Sequence, residues 1–149
     1  MGNKSILKVQ LDRRIAAFAQ VDRQGIVWLR SLRNALGISL TQMAAKLSIA
    51  KQTMAAIEAR EKEGSVTIKT MREVASALEM DFVYGFVPKA GTLEKLIENK
   101  ARQVATDIVL RTSGTMALED QENSQMRLKA AVEEMTEKLK KEIPKHLWD

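Results

Sequence analysis

The sequence predicts a mainly α-helical protein, a helical bundle with one β-strand and a C-terminal helical extension. Three observations carry this. Apolar residues recur three and four apart over most of the chain, as in Ile68, Met71, Val74, Ala75 and Leu78. Only two prolines and seven glycines interrupt 149 residues. One short run, "DFVYGFVP", departs from that pattern with β-branched and aromatic residues before Pro88.

Taken in order, Ile6, Leu7, Leu11, Ile15 and Phe18 space out a first helix, and Gly25 separates it from the next. There Leu29, Leu32 and Leu36 form an apolar stripe, and Gly37 stands where a helix-ending glycine belongs. Trp28 is expected in the core. The clearest start signal follows in "ISLTQM". Ser39 can cap, Gln42 can reach back to it, and Ile38 with Met43 form a hydrophobic staple. A helix from about Leu40 to Leu47 results. Ser48-Ile49-Ala50 breaks it, a second short helix runs from Lys51 to about Arg60, and Thr67 caps another.

Residues 81–88 then read as a strand with both faces apolar. A lone strand cannot satisfy its own backbone groups. It either pairs with its copy in a two-fold dimer or packs beside a short extended piece such as Ser65 to Ile68. From Thr92 helix returns, with Leu93, Leu96, Ile97, Ala101, Val104, Ala105 and Ile108 on one stripe. "RTSGTM" breaks it, and Leu128, Val132, Met135 and Leu139 step in a heptad-like pattern, too short to claim a coiled coil.

Composition narrows function. There is no cysteine and one histidine, His146, so thiol chemistry, disulfides and a structural zinc site are excluded. No eighteen-residue apolar window exists, and "MGNKSILKVQ" lacks a signal-peptide core and, with Ile6, the myristoylation pattern. A cytoplasmic protein without membrane association is expected. Residues 1–60 carry ten Lys/Arg against three Asp/Glu, a net of +7, and residues 61–149 fourteen against sixteen, a net of −2. A basic first part suits a polyanion, although solubility alone is the plainer reading. No Gly-rich phosphate loop, no nucleophile with its base and no paired His/Asp set is present, so no catalytic residues, cofactor or metal are expected. The acidic runs Glu58 to Glu63 and "MALEDQE" read as solvated helix ends.

The helix pair from Leu40 to Arg60 is the most informative stretch. Ala44 is small where two helices must touch, Ile49 plugs the turn, and Met54 with Ile57 seats the second helix. This leaves Lys51, Gln52, Thr53, Ala55 and Ala56 facing outward. Gln can bond adenine, Lys guanine or a phosphate, and Thr or Ala a thymine methyl, while a helix N-terminus favours phosphate. Thr41 and Gln42 at the start of the first helix are further candidate contacts. Arg30 and Arg33, just upstream, either grip phosphates or are simply solvated.

"SLTQMAAKLSIAKQTMAAIE" resembles the phage-repressor type of helix-turn-helix, with Met43-Ala44, Ile49, Met54, Ile57 and Glu58 on its marked positions. The likeness spans roughly Val27 to Leu78 and implies a phage-repressor-like bundle. Three positions depart from the pattern. Leu40 replaces a Gln that makes a customary phosphate contact, Ser48 replaces the turn Gly, and Ala50 replaces a Ser cap whose loss costs about 1 kcal/mol. The expected organisation is an N-terminal helical segment (1–24), a helix-turn-helix domain (25–80), a strand for dimer pairing (81–88) and a helical region for dimerisation or partner binding (89–149).

Across nearly the whole chain, "LGISLTQMAAKL", "GSVTIKTMREVASALEMDFVYGFVP", "MALEDQ" and the terminal "LW" resemble the mobile mystery protein A family. That resemblance implies an antitoxin-like, autorepressing regulator encoded beside a Fic-domain partner. An inhibitory Ser/Thr-x-x-x-Glu-Gly/Asn motif is absent. Ala59, Glu94 and Leu118 precede the three Glu-Gly/Asn steps where Ser or Thr is required. The first expectation is therefore a homodimeric, sequence-specific transcriptional regulator on operator DNA. The alternative is a helical protein–protein module that neutralises or scaffolds its partner without reading DNA.

Overall fold

The computed structural model of the chain describes residues 2–22, 25–112 and 121–149. The expected "RTSGTM" break and most of the "MALEDQE" helix start lie outside these residues. Among the described residues are seven α-helices: α1 (Gly2–Phe18), α2 (Trp28–Ala35), α3 (Leu40–Lys46), α4 (Lys51–Glu63), α5 (Ile68–Ala77), α6 (Leu93–Thr112) and α7 (Gln121–Glu142). A 3-10 turn follows at Lys145–Trp148. None of these helices is long and apolar enough to cross a membrane. The chain forms two compact units, one of residues 22–84 and one of residues 1–21 with 85–149.

The unit of residues 22–84 is built from helices too short to persist alone in water. Its core collects one or two side chains from each: Leu29, Met43 and Ala44, Met54 and Ile57, Met71 and Val74. Met43 and Met54 are fully buried, each contributing about 1.5–3 kcal/mol by leaving water. Ile38, Leu47, Ile49, Leu78 and Phe82 close the rim. Two helices carry the caps that their sequences announce. Ser39 caps α3, and the Thr67 hydroxyl accepts the Thr70 N–H at 3.1 Å to cap α5.

The expected strand over 81–88 is not seen. These residues form no helix and join no ladder among the described residues. The physical reason is that no second strand stands among the described residues: Ile68, at the end of the proposed pairing segment, already begins α5. Phe82 serves packing and Tyr84 stacks beside it, while Phe86 is left exposed. Phe82 lies against the core, its ring 5.8 Å from that of Tyr84, and the Arg72 guanidinium sits 5.9 Å over the Tyr84 ring. Trp28, expected inside, is 51% exposed.

In the other unit, α6 and α7 form the main packing. Arg102 pairs with Glu133, while Ile97 and Ala101 cluster with Leu139 further along α7. That reversed order makes the two helices antiparallel. Ala101 and Ala105 are fully buried and lack bulk, so α7 and the 3-10 turn approach closely. Leu147 of that turn is also fully buried in this cluster. Thr136, the buried polar residue here, donates its hydroxyl to the Val132 carbonyl at 2.6 Å. On the surface, the hydrogen bond between Arg102 and Glu133 raises the Arg102 pKa and holds the Glu133 carboxyl below its ordinary value.

Helix α1 belongs to this unit and packs on α6. Ile15 is its buried residue. Asp12 caps the other helix: the Leu93 N–H donates to Oδ1 at 2.8 Å and the Glu94 N–H to Oδ2 at 3.3 Å. A carboxylate at a helix N-terminus satisfies unpaired N–H groups and meets the positive end of the dipole. Lys4 Nζ donates to the Ile143 carbonyl at 3.0 Å, where α7 has ended.

Candidate nucleic-acid interface

The site begins with how α3 is started and stopped. The capping box forms as the sequence predicts, with the Gln42 N–H donating to Ser39 Oγ at 3.1 Å and the Ser39 N–H to Gln42 Oε1 at 2.8 Å. Gln42 Oε1 is thereby engaged, and its amide nitrogen is the group left to contact a ligand. At the other end Ser48 adopts φ 55°, and the Ile49 N–H donates back to the Ala44 carbonyl at 3.0 Å. This left-handed closure turns the chain sharply into α4. Met43 and Ala44 on one side and Met54 and Ile57 on the other are buried where α3 and α4 pack.

Lys51, Gln52, Thr53, Ala55 and Ala56 are all exposed, as are Thr41, Gln42 and Arg30. The first five stand together on the free side of α4 and its N-terminus. Ala50 supplies no side-chain cap there. An α-helix leaves its first N–H groups without intrahelical partners, so the start of α4 presents backbone donors and a positive dipole end to an incoming anion. Beside them lie an ammonium, an amide, a hydroxyl and two methyl groups. That set suits a phosphate together with base edges in the major groove. Among the described residues no cluster of His, Cys, Asp or Glu could hold a metal ion.

Arg33 stands apart from this edge. Its Nε and Nη2 donate to Glu58 Oε1 at 2.7 Å and Oε2 at 3.3 Å, and Nη1 reaches the Ile38 carbonyl at 3.4 Å. Both partners are mostly covered, with side chains 15% and 13% exposed. The hydrogen bond that Arg33 donates to Glu58 raises the Arg33 pKa, fixing its charge. The guanidinium is thus held inside the domain, tying α2 to α4 and to the start of α3.

Glu61 makes a second bracket. The Trp28 and Leu29 N–H groups donate to its carboxylate at 2.7 and 2.8 Å, capping an α2 start that has no cap of its own. Glu61 meets residue 29 and Glu58 meets residue 33, so α2 and α4 run antiparallel. Arg30 therefore lies level with the end of α4, roughly 15 Å along the helix from Lys51.

Neither Glu58 nor Glu61 is the solvated acid expected from the run Glu58 to Glu63. A signal for both was present: Met54, Ile57, Glu58 and Glu61 fall at i, i+3, i+4 and i+7, one face of a helix. An acid on the packed face of a helix needs a partner, and α2 provides it.

No curated protein and no solved structure matched the chain. Residues 29–84 match the model of the helix-turn-helix family. The span takes in α2 to α5 and the Phe82–Tyr84 pair. The chain carries, across residues 29–84, a DNA-binding helix-turn-helix domain of the XRE type.

Proposed function

We propose that the chain is a sequence-specific transcriptional regulator that acts by binding, not catalysis, and that represses its own promoter as a homodimer. One observation carries the reading. Lys51, Gln52 and Thr53 stand exposed at an N-terminus of α4 that no side chain caps. The helix enters the major groove by that end, its backbone N–H groups on a phosphate and Gln52 and Lys51 on base edges. Two-fold pairing of chains would set half-sites about one helical turn apart. The whole-chain resemblance to mobile mystery protein A supports the finer assignment, an antitoxin-like protein working beside a Fic-domain partner.

The test is a mobility shift on the DNA upstream of the chain's own coding sequence, against a scrambled duplex. The wild type should prefer the former. Replacing Lys51, Gln52 and Thr53 together with Ala should remove that preference, since each good base contact contributes about 1–3 kcal/mol of discrimination. An unchanged preference in the triple variant would discard the reading edge. Co-purification with the neighbouring Fic-domain protein tests the partner independently.

A further inference from the structure

We propose that the outward face of α1 is a second, sequence-independent contact with the phosphate backbone of duplex DNA. The inference rests on the DNA-binding reading above and extends it to the unit that carries no helix-turn-helix.

The starting point is the modest net charge of the reading unit. Residues 22–84 contain nine Lys/Arg against seven Asp/Glu, a net of only +2. Arg33 is consumed by Glu58, Arg72 lies over Tyr84, and Arg30 sits at the far end of α4. Lys51 is the one cation on the reading edge itself. DNA-binding proteins owe much of their affinity to phosphate neutralisation, commonly through about 6–10 contacts per complex.

Helix α1 carries +3 of the +7 of the first sixty residues. That helix holds Lys4, Lys8, Arg13 and Arg14 against Asp12 alone. Asp12 is turned to the first turn of α6 and makes no ion pair with Arg13 or Arg14. Arg13 and Arg14 are exposed and form no ion pair or hydrogen bond among the described residues.

Their placement on the helix is directional. Asn3, Ile6, Gln10, Arg13 and Ala17 step by three and four along one stripe, with Arg14 beside it, and all are exposed. The opposite face carries buried Ile15, Asp12 and half-covered Lys8. The outward stripe thus combines two guanidiniums with two amides, the apolar Ile6 and, at Ala17, a small residue that permits close approach. Guanidinium is the group best matched to phosphate oxygens. Helices α6 and α7 differ in balance: together they carry nine Lys/Arg against eight Asp/Glu, and Lys95, Arg102 and Lys140 are each paired with an acid on their own or the facing helix.

The experiment measures affinity for a 30-base-pair duplex of unrelated sequence, and for the upstream DNA, across a salt series. Replacing Arg13 and Arg14 with Ala should flatten the slope of log K against log salt by about 1.8 per chain bound. Affinity near 0.15 M salt should fall by roughly 30-fold for both duplexes alike. Arg13→Lys with Arg14→Lys should restore most of the slope. Ala favours helix, and an unchanged melting temperature shows that the fold is intact. An unaltered slope in the double Ala variant overturns the inference, even if the Lys51, Gln52 and Thr53 variant has lost its preference. Loss confined to the upstream duplex overturns it too, because phosphate contacts carry no sequence information. No binding by the wild type at either duplex would overturn both readings.

Discussion

The two compact units bury helix faces by contrasting means. In residues 22–84 the helices run from 7 to 13 residues, and the core is assembled from scattered Met, Ile, Leu and Val side chains. Short helices leave many unpaired backbone groups for each residue buried. The unit answers with side-chain caps at Ser39 and Thr67, a borrowed cap from Glu61, and the covered Arg33–Glu58 pair. In the other unit α6 and α7 span 20 and 22 residues, and their cluster closes over Ala101 and Ala105. There the ion pairs lie on the surface. In the first unit covered polar brackets fix short helices; in the other, length and apolar packing carry more of that task, helped by the Asp12 cap on α6.

The largest effects should come from the two cores. Met54→Ala and Leu147→Ala each remove a fully buried side chain and should cost about 2–5 kcal/mol. Their consequences should differ. Met54→Ala should abolish DNA binding and expose the amides of α3 to α5 to hydrogen exchange. Leu147→Ala should loosen α6 and α7 while α3 to α5 keep their protection. Equal loss of protection in both units from either variant would show that the units do not open separately.

The second contrast concerns charge. Glu58→Ala leaves the mostly covered Arg33 guanidinium without its partner, which should cost about 1–3 kcal/mol by chemical denaturation. It should also weaken DNA binding, because α2 and α4 lose a bracket while every reading residue remains. A Glu58→Ala protein as stable as the wild type would mean that water replaces the carboxylate at no cost.

How far the sequence disclosed these features follows from the range of the interactions. The capping box, the seat of Met43, Ala44, Met54 and Ile57, and the Val132–Met135–Leu139 face were legible because each is written within a turn or two. Asp12 on Leu93, Glu61 on Leu29 and Lys4 on Ile143 were not, since partners 32 to 139 residues apart leave no local periodicity. The segment 81–88 misled for a related reason. Aromatic and β-branched residues suggest a half-buried strand, but here Phe82 alone of the aromatics packs on the core, while Tyr84 and Phe86 stay exposed and no ladder forms among the described residues. Trp28 misled because its apolar stripe points inward through Leu29, leaving the indole at the helix mouth half exposed.

The smallest expected effect sharpens the comparison within the reading unit itself. Four of its helices close in the same way, with a left-handed residue whose successor's N–H reaches back to a carbonyl of the last turn. Gly37 and Gly64 do so for α2 and α4, and Ser48 and Glu79 for α3 and α5. A left-handed conformation costs a residue with a Cβ about 1 kcal/mol, and glycine essentially nothing. Ser48→Gly should therefore stabilise the unit by up to about 1 kcal/mol, less a few tenths for the extra freedom of the unfolded chain. The departure from the usual turn glycine is then a strain that the fold tolerates, and it is not a distortion of the turn. DNA affinity should be unchanged or slightly higher, because the Ile49 N–H to Ala44 carbonyl bond that aims α4 is made by backbone alone. If Ser48→Gly instead lowers affinity while raising the melting temperature, the Ser48 hydroxyl itself contacts DNA, and the reading surface extends from α4 back into the turn.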